Sequence, residues 1–381
     1  MTSKVGILLL ALGHLEVTQS LAKPETRECL APTYMTRFSA KLFPKIIKSE
    51  NKLDNIFFSP YAVHAMLALI YRASEGETLN EVQRVGEFNQ HPVFVALDFE
   101  RLIKFKERLQ STRLYSNSRV FYNQTLDAVN SRYDEFSEFY FDIGMEPVDM
   151  DGGKVMTNSI NEWSTLLIST VRFLGFWEHT FYYGNTRPTE FHLANGRISN
   201  VDMMYNHKVY GLADLPDLDA TALELPFKDS ATNMLIPLPN QPNELVNLEQ
   251  QLAQPEFDLN RIANCLHRQS VTVGLPRFRV VMVFDMNAPL KQLGLNQMFT
   301  DSSKVTELLD LPVRVDKVLQ RAHFTVFEDG TSLQYPSGPE DAKSLPANSK
   351  EFVANRPIVF AIRTPNSVLL MGHVKSARIY K

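Results

Sequence analysis

Residues 328–350 read EDGTSLQYPSGPEDAKSLPANSK, and the rest of the chain is best read outward from this break. The segment is poor in large apolar residues and holds three prolines and two glycines. β-rich sequence flanks it, at residues 318–327 before and at 358–362 and 368–371 after. The last two runs surround Thr364-Pro365-Asn366-Ser367 and read as a hairpin. Connections longer than about 12–15 residues inside a compact domain are usually functional or disordered. This one is the feature that most needs a physical explanation.

Further upstream, residues 271–284 hold two β-rich pieces broken by Leu275-Pro276. Residues 166–177 (LLISTVRFLGFW) are nearly continuous apolar sequence, as in a strand buried on both faces. Residues 119–122 (RVFY) form a short β-rich piece. The first half is mainly helical. Residues 34–47 carry apolar side chains at helical spacing. Ser59-Pro60 opens a second helix, with Pro60 suited to its first turn and Met66, Leu67, Ile70 and Tyr71 on its buried side. Thr78 and Glu81 have the spacing of a capping box for a short helix over 78–85. Residues 97–109 form another amphipathic helix. Helices first and strands later predict an α+β fold, without βαβ alternation or internal repeats.

Composition narrows the function classes. The 381 residues are 44% hydrophobic and 22% charged, an ordinary globular balance that excludes collagen, coiled coil and wholesale disorder. A net charge of -4 leaves nucleic-acid binding to a strongly local basic patch. Two cysteines make neither a disulfide scaffold nor a four-cysteine zinc site. No run beyond the first two dozen residues is apolar and long enough to span a bilayer.

The N-terminus reads as an export signal over residues 1–22. Lys4 supplies the positive flank, residues 5–12 (VGILLLAL) a short apolar core, and Ser20-Leu21-Ala22 the small residues of a cleavage site. The competing reading is a buried N-terminal strand or helix. Export predicts a secreted, extracellular protein in an oxidising compartment, where Cys29 and Cys265 could pair; sequence leaves that pairing open. It would also make the Asn123-Gln124-Thr125 sequon a glycan acceptor.

Common catalytic motifs are absent. There is no G-x-S-x-G elbow, Walker loop or G-x-G-x-x-G. No pair of the nine histidines has the spacing that puts two metal ligands on one helix face. An enzyme is the weaker reading, and no metal or cofactor is expected. Arg101, Lys104 and Arg108 recur along one predicted helix, either as a polyanion-binding stripe or as a solvated face. Glu100 and Glu107 interrupt the field and favour the solvated face.

The segments resemble, in order, those of the serpin family. Residues 55–60 (NIFFSP) resemble the opening of the family's second helix, and Asn161-Glu162-Trp163 its I-N-x-W piece. Thr186-Arg187 and residues 191–204 are similar to the segment after the third strand of the main sheet. Residues 223–227 (LELPF) and 234–239 (MLIPLP) match the L-E-L-P-Y and M-x-I-x-L-P pieces. Residues 275–278 (LPRF) and 290–299 follow in register. Glu328-Asp329-Gly330-Thr331 resembles the hinge that opens the reactive loop, and Asn355-Arg356-Pro357 and residues 371–374 (MGHV) the C-terminal signature. The resemblance runs from about residue 30 to the end and implies one domain over 23–381. It further implies three β-sheets, about nine helices, and an exposed reactive loop at about 328–351.

The same resemblance implies a mechanism with no catalytic residue and no cofactor. A serine protease attacks the loop as substrate, and the cut loop inserts into the main sheet, carrying the acylated protease along. The implied partner is an extracellular serine protease, with no nucleic acid and no membrane, and the implied state is a monomer. Family spacing puts the scissile bond at Lys343-Ser344, or next at Ser344-Leu345, with Lys350 a weaker alternative. Lys343 would suit a trypsin-like pocket; it is equally readable as a solvated loop lysine.

This loop departs from the family where it should insert. Inhibitory members follow the Gly-Thr pair with small residues. Here residues 332–339 read SLQYPSGP. If Thr331 enters first, period two aims Leu333, Tyr335, Ser337 and Pro339 at the core. Tyr335 is large for that slot, and overpacking costs about 1–3 kcal/mol. Pro336 and Pro339 each remove a ladder hydrogen bond worth about 0.5–1.5 kcal/mol. Insertion is therefore expected to be slow, incomplete or absent. The polar cluster beneath the opening strands is also expected to be partial: Ser59 is kept, while Ala62, Ser169 and Gln320 replace the usual serine, asparagine and histidine. Trp177 is kept, Ile358 replaces a phenylalanine, and the link after Trp163 is shorter by roughly twenty residues. A non-inhibitory carrier, signalling ligand or protease substrate is the alternative function.

Overall fold

Ser59 shows how local chemistry starts an element. Its hydroxyl accepts from the Ala62 N–H and Pro60 takes the first helical turn, so helix α2 (Pro60–Ala73) begins there, preceded by helix α1 (Thr33–Ser49) and strand β1 (Ile56–Phe58). The computed structural model describes residues 33–50, 55–88, 90–109, 111–124, 131–148, 164–228, 230–254, 259–309, 311–331, 344–347, 349–365 and 367–376. All lie within the unit Ala31–Lys381. The proposed export signal, Cys29 and Trp163 fall outside the described residues.

Helix α3 spans Gly76–Val85 and is capped by Glu75 rather than Thr78. The expected capping box is not formed. Thr78 Oγ1 instead accepts from the Lys304 N–H, and Glu81 accepts from the Asn296 and Gln297 N–H groups. Both side chains tie a neighbouring loop to the helix. Helices α4 (Pro92–Arg108) and α5 (Ser131–Phe141) follow, separated by strand β2 (Thr112–Asn123). Later come α6 (Leu245–Leu252), α7 (Leu259–Asn264) and α8 (Asn287–Gln292), giving eight α-helices among the described residues.

The site lies in a six-stranded sheet. Its order is β10 (Phe278–Asp285), β11 (Arg314–Val326), β4 (Ser164–Phe176), β2, β3 (Ile143–Val148), with β12 (Gly330–Thr331) paired to β4. Strands β4 and β11 run parallel, from Arg314 opposite Ser164 to His323 opposite Arg172. β4 is not buried on both faces, as its apolar sequence suggested. Leu167, Val171 and Phe173 face the core, whereas Thr170, Arg172 and Phe176 are exposed, the period-two alternation of a sheet with one open face.

The second sheet has nine strands. In chain order they are β1, β5 (Arg187–His192), β6 (Ile198–Leu215), β7 (Ala220–Pro226), β8 (Asn233–Pro239), β9 (His267–Pro276), β13 (Lys350–Val353), β14 (Ile358–Thr364) and β15 (Ser367–Val374). The resemblance implied three sheets; among the described residues the hydrogen-bond ladders make two. The 18-residue β6 pairs β5 near its start and β7 near its end, with β9 along its middle, fusing two groups of strands into one ladder. The predicted hairpin closes with Thr364 opposite Ser367. One hydrophobic cluster fills the space around the helices. A second, including Phe57, Phe278, Phe324, Phe360, Trp177 and Phe227, includes core-facing residues from both sheets.

Candidate functional site

After β11 the chain reverses. Phe327 and Gly330 exchange backbone hydrogen bonds at 3.0 and 3.1 Å, and β12 returns antiparallel to β4. Gly330 stands opposite Phe176 and Thr331 opposite Gly175. The other edge of β4 is already taken by β2, with Thr112 opposite Gly175. Gly330–Thr331 therefore enter the slot between β4 and β11, just above the point where those strands stop pairing. Gly330 has φ +151°, and a Cβ there would lie 1.9 Å from the Gly175 carbonyl oxygen. Only glycine fits. Thr331 is fully buried, and its hydroxyl donates to that same oxygen at 3.5 Å.

Several groups lock the turn. The Trp177 backbone N–H donates to the Asp329 carbonyl at 2.9 Å and its indole N–H to the Phe327 carbonyl at 3.0 Å. The Trp177 ring stacks on Phe227 at 4.7 Å. Glu328 is fully buried, and Arg277 Nε donates to its two carboxylate oxygens at 2.9 and 3.0 Å. Arg277 Nη2 and the Thr186 hydroxyl also donate to it. A buried carboxylate is tolerated only when paired and hydrogen-bonded this fully. Tyr183 donates to the Asp329 carboxylate at 2.8 Å; burial first, and then that bond, push its phenol above the usual range, so it stays a donor.

Below the slot, the residues that replace the family's usual ones still form a hydrogen-bonded polar cluster. Gln320 and Ser169 face each other on β11 and β4. Gln320 Nε2 donates to Ser169 Oγ at 3.2 Å and to the Ser59 carbonyl at 3.1 Å, while its Oε1 accepts from the Ser59 N–H at 2.6 Å. Ser59 Oγ donates to the Leu369 carbonyl at 2.8 Å. The glutamine amide supplies both a donor and an acceptor, so it satisfies partners that a shorter side chain would leave unmet. Ala62 takes part only through its backbone.

The remaining predicted residues divide. Tyr335, Pro336, Pro339 and Lys343 lie outside the described residues. Ser344 is exposed, and Leu345 is half-buried against the second core cluster. Lys350 begins β13, paired with Val271 of β9, and its ammonium lies 3.2 Å from Asp214; a bond held in a strand is poorly presented to a protease. Asn123 ends β2 and is 2% exposed, so a glycan there would require the strand end to open. Cys265 is exposed. Arg101 pairs with Asp98 at 3.1 Å and Lys104 with Glu100, which turns the basic stripe of α4 into a largely neutralised solvated face. Sequence reading missed Arg277, Thr186 and Tyr183. Thr186 and Arg277 lie in segments that carry the family resemblance, but their contact with the hinge comes only through the fold.

The comparisons agree with this geometry. A family model described as "Serpin (serine protease inhibitor)" matches residues 33–165 and 164–377. Human antithrombin-III is 27% identical over 380 residues, covering 89% of this chain and 80% of that protein. Human serpin B4 is 24% identical, covering 90% and 98%. The fold matches Serpin48, described as a highly specific serpin in the insect Tenebrio molitor, at a TM-score of 0.79, with 22% identity and coverage of 94% and 100%. A family match over nearly the whole chain, with the hinge already seated between two parallel strands of the main sheet, makes this protein a member of the serpin family.

Proposed function

We propose that the chain is a secreted serpin that offers its loop to extracellular serine endopeptidases and partitions mostly toward cleavage rather than trapping. The pairing of Gly330–Thr331 with β4 carries this reading, because it is the first step of strand insertion. The protease supplies all the chemistry. Its serine oxygen attacks a loop carbonyl, the acyl-enzyme ester forms, and the new amine leaves with a proton from the protease's own acid. What the serpin contributes is the competition between ester hydrolysis and loop insertion. Lys343 is the favoured acyl residue and a trypsin-like protease the favoured partner, with Ser344 next.

The competition is unfavourable here. On insertion, Tyr335 would overfill the slot, and Pro336 and Pro339 would each leave a ladder position without a donor. The same residues favour the second reading, a non-inhibitory serpin that is cut or that binds a partner without trapping. Incubation of the mature protein with trypsin, read by denaturing gel and mass spectrometry, tests the choice. The expected products are a cut within residues 328–350, mostly released serpin and a minor covalent adduct. No cut in that segment would remove the bait reading altogether.

A further inference from the structure

The open face of the six-stranded sheet carries a groove of about 420 Å³ that spans β2, β4, β11 and β10. Arg172 of β4, Arg321 of β11 and Arg279 of β10 line it. All three residues are exposed, and none of them is in an ion pair among the described residues. Tyr115 and Val281, 42% and 45% exposed, line it from the outer strands, and the Arg172 guanidinium lies 5.4 Å from the Tyr115 ring centre. His323 sits among the arginines, opposite Arg172, and its pKa is lowered by burial and then by Arg279, Arg172 and Arg321. Three unpaired cations beside apolar surface form a concentrated positive field with a place for a ring.

We infer that this groove binds a small aromatic anion, its phosphate or sulfate held by Arg172, Arg321 and Arg279 and its ring on Tyr115. Guanidinium groups suit such oxyanions because they donate two parallel hydrogen bonds. The position gives binding a consequence. Arg172 and Arg321 belong to the two strands that the loop must part, so a shared anion ties β4 to β11. That consequence, unlike the binding itself, rests on the insertion reading proposed above.

Isothermal titration with 1-naphthyl phosphate tests the site without any protease. The expected result is saturable binding, weakened roughly tenfold by Arg172→Gln or Arg321→Gln and reduced by Tyr115→Ala. Arg101→Gln on α4 should leave it unchanged. Inorganic phosphate should compete, but more weakly, because it lacks the ring. Absence of saturation at millimolar ligand, or equal binding by the Arg172→Gln and Arg321→Gln variants, would overturn the site. Tighter binding of a heparin oligosaccharide than of naphthyl phosphate would overturn the small-ligand assignment. Hydrogen exchange with the site saturated should slow at residues 164–173 and 314–323; unchanged exchange there would overturn the tie between strands.

Discussion

Thr331 lies directly across from Gly175 of β4, fully buried, with its hydroxyl aimed at the Gly175 carbonyl. One residue earlier, Gly330 passes so close to the same carbonyl that no Cβ can be accommodated. Gly330→Ala must therefore expel the start of the loop from the slot, since both the contact and the positive φ are forbidden to it. Hydrogen exchange should rise sharply at residues 328–331 while the rest of β11 keeps its protection. Unchanged exchange at the hinge would mean that the pairing is not populated in solution.

Glu328 is held by Arg277 in an almost closed pocket. Removing the guanidinium leaves a buried charge with no cation beside it and only the Thr186 hydroxyl as a donor, at a cost of about 3–5 kcal/mol. Arg277→Ala should lower the denaturant midpoint accordingly and open the hinge to nicking. Glu328→Gln in the same chain should restore part of the loss, because the orphaned charge is gone. A double variant worse than Arg277→Ala alone would refute this coupling.

Gln320 joins Ser59 to Ser169 beneath the slot. Gln320→Ala leaves a buried backbone N–H and a serine hydroxyl short of partners, each worth about 1–3 kcal/mol. A fall in stability of roughly 2–6 kcal/mol by chemical denaturation is expected. Gln320→His, which can still donate and accept, should lose much less.

His64 is buried between the rings of Phe38 and Phe88, at centroid distances of 4.3 and 4.9 Å, and its Nε2 meets the Gly86 carbonyl at 2.8 Å. Burial drives its pKa from 6.5 down to about 3. Between those values the unfolded chain binds the extra proton, so stability rises with pH across this window and is lost as pH falls through it. By pH 4 the loss from this one group is on the order of 3 kcal/mol. His64→Phe should flatten that part of the stability–pH curve. An equally steep curve in the variant would show that other groups cause it.

Replacing Tyr335, Pro336 and Pro339 together with alanine removes the overpacking and restores two ladder donors. Added up, the change in favour of insertion is about 2–6 kcal/mol. The fraction of trypsin encounters ending in a gel-stable covalent complex should rise at least about tenfold. No change in that fraction would place the obstacle elsewhere in the sheet.

Much of this was legible in the sequence, and the rest was not, for reasons that particular residues make plain. Ser59-Pro60 announced α2 because capping is local chemistry. The β4 segment was recognisable as a strand, but its apolar run concealed the exposed Thr170 and Arg172, since the alternation carries only a few polar residues. Thr78 and Glu81 imitated a capping box while serving a loop more than 200 residues away. The hinge motif Glu328-Asp329-Gly330-Thr331 located the site, yet Arg277, Thr186 and Tyr183 reach it only through the fold. Gln320 looked like a loss because its identity departs from the family's; the hydrogen bonds it makes are visible only in three dimensions.

Insertion that begins at Thr331 is expected to stall at Tyr335 and the prolines. The melting temperature of the loop-cleaved protein against the intact one tests it most directly. A fully inserted strand of about ten residues would add ladder bonds worth on the order of 10 kcal/mol, or roughly 10–15 °C in a chain of this length. A stalled loop should raise Tm by less than about 5 °C. A rise of the larger size would mean that this sheet accepts the whole loop, prolines included.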